Sequence, residues 1–152
     1  MATFTPGFHT ESETIHFEHR VLLDELAALD SALDHLESPA DPFASLATAK
    51  QVEFYGKQLA EKLPEHFRRE EETILATVAQ ISPELKAFAA EMKLQHEELR
   101  VRFGQLQAAV EKLQAADDLD DAIAKLKEQG KELTRLLGRH VSLEETELSG
   151  FL

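Results

Sequence analysis

The chain of 152 residues has no cysteine, no tryptophan and a single tyrosine, Tyr55. Without cysteine, disulfides, thiolate metal sites and thiol catalysis are all excluded. Without tryptophan, aromatic cages and base-stacking platforms have little to be built from. Basic residues are also scarce, with 16 Lys and Arg against 29 Asp and Glu and a net charge of -13. Phosphate binding draws its affinity from clustered Lys and Arg, so this balance argues against nucleic acid as a partner. No segment approaches the roughly 20 apolar residues of a membrane span. The opening MATFTPGFHTESE shows neither a basic leader nor an apolar run of signal-peptide length. The expectation is a cytoplasmic protein that engages no membrane, with one domain over residues 1–152 large enough to bury a core unaided. Composition says nothing of its oligomeric state.

What is present is helical periodicity, punctuated by only six Gly and five Pro. After an N-terminal arm of residues 1–11, a first helix is expected from Ser12 to Glu37, ending at SPADP. There Asp41 suits the N-cap and Pro42 the first turn of a second helix reaching Gln80. ISPE repeats the device, with Ser82 as cap and Pro83 at the start of a third helix to Ala116. Asp117 or Asp118 can cap a fourth helix running to Leu148. Connections this short favour antiparallel neighbours, so the expected fold is all-α, an up-down-up-down four-helix bundle. Pro64, inside the second helix, deprives the Ala60 carbonyl of its donor and predicts a kink or bulge.

The apolar stripes of these helices carry an anomaly. In the first, Ile15, His19, Leu22, Leu26, Leu29, Leu33 and Leu36 follow steps of four and three. In the third, His96 interrupts Leu85, Ala89, Met92, Leu99, Phe103, Leu106, Val110 and Leu113. The second reads Val52, Gly56, Leu59, Leu63, His66, Glu70, and the fourth Leu119, Ile123, Leu126, Gly130, Leu133, Leu137, His140, Glu144. Every helix therefore has one His in its seam, and two add a Glu one turn later. At roughly 1.5 Å per residue, an up-down-up-down bundle brings all four His to one end, level to within about a turn.

A lone seam His is ordinarily a core residue with one hydrogen bond. Four at one level with two carboxylates are not explained that way. Burying unpaired carboxylates costs several kcal/mol each, on the order of the penalty for any desolvated ion, and the seam holds no Lys or Arg to neutralise them. A pair of di- or trivalent cations would neutralise them and accept four neutral imidazoles. Imidazole and carboxylate without thiolate suit iron, manganese or zinc, and carboxylates can bridge two ions inside a bundle. The alternatives are a charged or protonated core network and a single ion.

The two Glu-bearing helices also repeat each other. GKQLAEKLPEHFRREE (56–71) and GKELTRLLGRHVSLEE (130–145) align without a gap, each with a helix-disfavouring residue, Pro64 or Gly138, two positions before its His. Gly56 and Gly130 read as small seam residues, and Pro64 and Gly138 as points where the helix can bend to aim its ligands. Each half of the chain thus supplies two His and one Glu, as a pseudo-twofold pair of ion sites would require.

One His, then HxxxE, then one His, then HxxxE resembles the hemerythrin-like HHE cation-binding family. EHRVLLDEL, HFRREEETIL, QHEEL and HVSLEETEL are similar to its four segments in order, from about Ile15 to Leu148. The resemblance implies a non-haem di-iron centre with His19, His66, Glu70, His96, His140 and Glu144 as ligands, Glu70 and Glu144 bridging. Two positions depart from the oxygen-carrying members. Those have a second His four residues after the third-helix one, where this chain has Arg100, and end in HxxxxD, where Glu144 stands at a shorter spacing. Their three-versus-two histidine coordination is therefore not evident here.

Around these six, His16 precedes His19 by three and shares part of its face, so it is either an additional ligand or, the preferred reading, a residue that flanks the seam and hydrogen-bonds near the surface. Glu71 and Glu145 are expected to face solvent or to orient a ligand His. His9 and His35 read as surface residues, and Tyr55 as core packing. Leu22, Leu63, Met92, Leu99 and Leu137 are candidates for an apolar shell. Three functions compete: a di-iron module that binds or senses dioxygen or iron; a redox enzyme acting on peroxide, nitric oxide or dioxygen; and an interaction protein whose bundle uses metal only for stability.

Overall fold

A computed structural model describes residues 8–36 and 42–152, and among them there is no strand. The helices are α1 (Phe8–Asp34), α2 (Pro42–Glu72), the short α3 (Ile74–Val78), α4 (Pro83–Lys112) and α5 (Leu119–Glu147). A single 3₁₀ turn, Leu113–Ala115, finishes α4. Ser82 caps α4 as its spacing predicts, its Oγ accepting from the Leu85 amide at 3.1 Å with Pro83 in the first turn. Asp118 does the same for α5, accepting from the Asp121 amide at 3.1 Å. The expected Asp41 cap lies outside the described residues, as does the side chain of His9.

The four long helices pack in a ring, α1 against α2 and α5, and α4 against α2 and α5. Their seams make two apolar clusters rather than one. The larger runs from Leu22 on α1, through Leu63 and Phe67 on α2 and Leu99 on α4, to Leu137 and Val141 on α5. The smaller gathers Ile15, Ile74, Leu75, Val78, Ala89, Met92 and Leu148. On α1 and α4 the seam His lies between residues of the two clusters, and α3 continues the smaller cluster beyond His66 of α2 as Leu148 does beyond His140 of α5, so the polar level has hydrocarbon on both sides. Gly130 sits in the larger cluster, where a Cβ would collide with the Leu33 methyls; Gly56 has ordinary room beside Leu106.

Three expectations need correction. The first helix starts at Phe8, so the last residues of the expected 1–11 arm are helical; Phe8 to Glu11 contain no Gly or Pro to break it. The second does not reach Gln80 but breaks at Thr73, with φ -115° and ψ -89°. There the Thr73 hydroxyl donates to the Arg69 carbonyl at 2.6 Å, the side-chain back-bond that competes with the helix ladder and bends it. The break tucks α3 beneath the smaller cluster, where Ile74, Leu75 and Val78 are buried. Finally, no bulge forms at Pro64 or Gly138, for α2 and α5 are continuous α-helix through both. Pro64 is exposed and Ala60, whose carbonyl loses its donor, is partly buried against the larger cluster, yet the helix runs through both without a break. The reading of the pair as points that bend to aim ligands loses its support.

Candidate metal centre

The seam spacing that puts a His in every stripe brings His19, His66, His96 and His140 together with Glu70 and Glu144, all six at 2% exposure or less. Their facing atoms form two overlapping groups, His19, His66, Glu70, Glu144 and Glu70, His96, His140, Glu144, each with donor atoms within 4.8 Å of one another. The carboxylates belong to both groups. Glu70 Oε1 lies 3.2 Å from His66 Nε2 and 3.3 Å from His96 Nε2, while Oε2 accepts from His19 Nε2 at 3.1 Å. Glu144 Oε1 lies 3.1 Å from His140 Nε2 and 3.3 Å from His19 Nε2.

These are close approaches, but most are not hydrogen bonds. The Nε2 atoms of His66, His96 and His140, Oε1 of Glu70 and both oxygens of Glu144 are buried without a hydrogen-bond partner. A satisfied polar network would leave few such atoms, because each costs about 1–3 kcal/mol when orphaned. Six orphans distributed over the two overlapping groups are instead the lone-pair donors that cations accept. The donor set, nitrogen and oxygen without sulfur, is that of iron, manganese or zinc.

The opposite face of each imidazole is fully engaged. The Nδ1–H groups donate to Glu145 from His19 at 2.8 Å, to Glu18 from His66 at 3.2 Å, to Glu71 from His96 at 2.7 Å and to Gln95 from His140 at 2.8 Å. Each bond fixes ring orientation and leaves Nε2 as the inward donor atom, as metal-binding imidazoles require. Phe67 stacks on His96 at 3.9 Å between centroids and holds that ring from the side.

Of the partners, Glu71 and Glu145 are those whose place after the seam Glu suggests an orienting role; Glu18 and Gln95 were not anticipated. Both directly precede the seam His of α1 or α4, the one regularity that could have found them. His16 is exposed and belongs to neither group; it donates to Glu145 at 3.1 Å, as expected for a flanking residue. Arg100, at the position of the oxygen carriers' additional His, points outward, bonded to Glu97 and lying 5.8 Å over the Phe67 ring. His35 is exposed and Tyr55 packs against the larger cluster.

In the metal-free protein the charges compensate one another. Burial pushes the His19 imidazole down, but the carboxylates of Glu144 and Glu70 facing its Nε2 outweigh it and hold it up at about 11. The same opposition leaves His96 at about 9. Burial pushes Glu70 up, yet His66, His19 and His96 bring it well below the usual carboxylate range. Cations arriving at this level must displace the imidazole protons.

An all-helical chain with a buried His and Glu level of this kind is a cation-binding helical domain. It belongs to the Hemerythrin HHE cation binding domain family, whose family model matches residues 10–152. No curated protein and no solved structure matches the chain. No described helix is long and apolar enough to cross a membrane.

Proposed function

We propose that the protein holds two iron ions and binds or senses a small ligand, dioxygen foremost, at the pair. His19 and His66 would hold one ion, His96 and His140 the other, with Glu70 and Glu144 bridging. The observation that carries this reading is the set of orphaned donor atoms facing one another across the buried level. The cross-helix contacts, Lys62 with Glu25, Lys131 with Asp30, and His140 with Gln95, fit the up-down-up-down arrangement that makes the halves equivalent.

Two imidazoles and two shared carboxylates would offer each ion about four protein donors, the nitrogen and oxygen set that suits iron. When bound, the ions would supply one-electron redox chemistry and positions for an outside ligand. The chain's own residues do the rest. The Nδ1 partners orient the imidazoles, Phe67 keeps His96 in place, and the two apolar clusters exclude water from above and below.

A second reading, a redox enzyme acting on peroxide, nitric oxide or dioxygen, draws on one further feature. A groove of about 340 Å³ beside His66 is lined by Phe17, Glu18, Val21, Lys62 and Glu65. It offers a route to one ion position, with the Glu18 carboxyl beside it to carry protons. Anaerobic loading with ferrous iron, metal counting and admission of oxygen test both readings. Two ions per chain and a reversible oxygen-dependent visible spectrum support binding. Rapid autoxidation with continuing peroxide consumption supports turnover. Fewer than about one ion per chain would refute the site itself.

A further inference from the structure

Among the six ligand candidates and the four residues that hold their Nδ1 atoms, the two halves of the site differ in residue type at one place. His19 and His96 are each held by the acid that follows a seam Glu, Glu145 and Glu71. His66 and His140 are held by the residue that precedes a seam His, and there the halves differ: Glu18 on one side, Gln95 on the other. The difference is not an ambiguity of the amide. Gln95 donates its Nε2 to Glu91 at 3.2 Å, which turns its oxygen toward His140. Nor do neighbouring cations cancel it. Glu18 accepts from Arg69 at 3.2 Å and Glu71 lies 4.0 Å from Arg100, so each half has one guanidinium near an orienting carboxylate. Among the groups that touch the imidazoles, the His19 and His66 half therefore has two carboxylates and the His96 and His140 half one, the Glu91 carboxylate lying behind the Gln95 amide.

Resting on the two-ion reading, we propose that Glu18 makes the halves unequal, so that the His19 and His66 position takes the first cation and holds it more tightly. An imidazole whose Nδ1–H donates to a carboxylate is the more basic donor, and the charge behind it lowers the cost of bringing in a dication. The amide oxygen of Gln95 orients His140 equally well but adds no charge. Glu18 and Gln95 are positioning residues, touching the imidazoles and not the ions. The inequality supplies, through a neighbour of the ligands, an asymmetry that the symmetric ligand set lacks.

The test is stepwise loading with Co(II) under chelator competition, for the wild type, Glu18→Gln, Gln95→Glu and the exchange variant carrying both. All four should bind two ions, which keeps this inference separate from the two-ion reading; a wild type that binds fewer defeats that reading. Wild type should show two unequal steps. Glu18→Gln should weaken the tighter step by about 10- to 100-fold, the scale of lost orienting partners, and Gln95→Glu should strengthen the weaker one. Proton spectra at one equivalent give the location: exchangeable imidazole signals shifted by Co(II) should come from the His19 and His66 half in the wild type, and from both halves in Glu18→Gln and in Gln95→Glu, whose orienting partners are alike. In the exchange variant they should move to the other half. Equal steps in the wild type, or a first step sensitive to position 95 and indifferent to position 18, would overturn the proposal. So would an exchange variant that fills in the original order.

Discussion

The larger apolar cluster and the His and Glu level are equally buried and about as closely approached, yet they are held together by different means. Around Leu29, Leu59 and Leu126 the buried side chains are apolar and pack against one another. At the level of His66 and Glu144, buried donor atoms face one another without bonding. Equal burial thus covers one region that is stable in itself and another whose stability depends on the protons or cations its imidazoles and carboxylates hold. The contrast is open to measurement, because only the second region should respond to metal.

The largest expected effect is at that level. Glu70→Ala and His140→Ala should each reduce bound metal sharply and abolish the rise in thermal stability on loading, since ligand that binds only the folded state stabilises it. At a thousandfold excess over Kd that rise is worth about 4 kcal/mol per site. Melting with and without chelator, together with metal analysis, reads both. Wild-type metal content in both variants would dissolve the distinction between the two regions. Leu126→Ala, fully buried in the larger cluster, should cost about 2–5 kcal/mol. That loss should be the same in loaded and chelated protein; a loss confined to the loaded form would mean that the cluster also depends on the ions.

How far this contrast could be read from the residues is instructive. Seam spacing is enough to place His19, His66, Glu70, His96, His140 and Glu144 at one level, because a stripe of period 3.6 states which side chains point inward. Caps are local chemistry, so Ser82 and Asp118 are equally legible. Glu18 and Gln95 are not, since they stand one position off the stripe, where most residues face solvent. Whether such a side chain turns back to a neighbouring helix depends on how closely the helices approach, and that is a property of the packed bundle. The break at Thr73 escapes for a related reason: threonine is only mildly unfavourable in a helix, and its hydroxyl bends the chain where α3 has apolar surface to bury.

A smaller effect should appear with pH, with opposite sign in the two states. In the metal-free chain the imidazole of His19 is held from an ordinary 6.5 up to about 11, and that of His96 up to about 9. A raised group contributes its full stability below its unfolded value, and the contribution fades as pH climbs toward the folded one. Glu70 and Glu144 are lowered, so their contribution persists down to acid and is lost only below the usual carboxylate range. Chelated protein should therefore keep its melting temperature from pH 7 to 5 and lose it progressively from pH 7 to 10. Loaded protein needs neutral imidazoles and should do the reverse, shedding metal as pH falls toward 5. Parallel curves for the two states would show that the ions do not sit on these histidines.

The smallest effect tests how the level is closed on its far side. Toward the larger cluster it is enclosed by continuous helices, but toward the smaller one by α3, which begins four residues after Glu70. If the Thr73 hydroxyl alone made the break, Thr73→Ala would let α2 run straight on and carry Ile74, Leu75 and Val78 out of the cluster. Those three side chains are at 1% exposure or less, and withdrawing them would cost about 1.5–3 kcal/mol each. The hydroxyl's bond to the Arg69 carbonyl is worth only about 1 kcal/mol. Packing therefore wins, and the break should survive the substitution. Thr73→Ala should lower stability by about 1 kcal/mol, roughly 2–4 °C for a chain of this size, with metal content unchanged. A rise in helicity accompanied by loss of metal would instead make Thr73 the residue that seals the site.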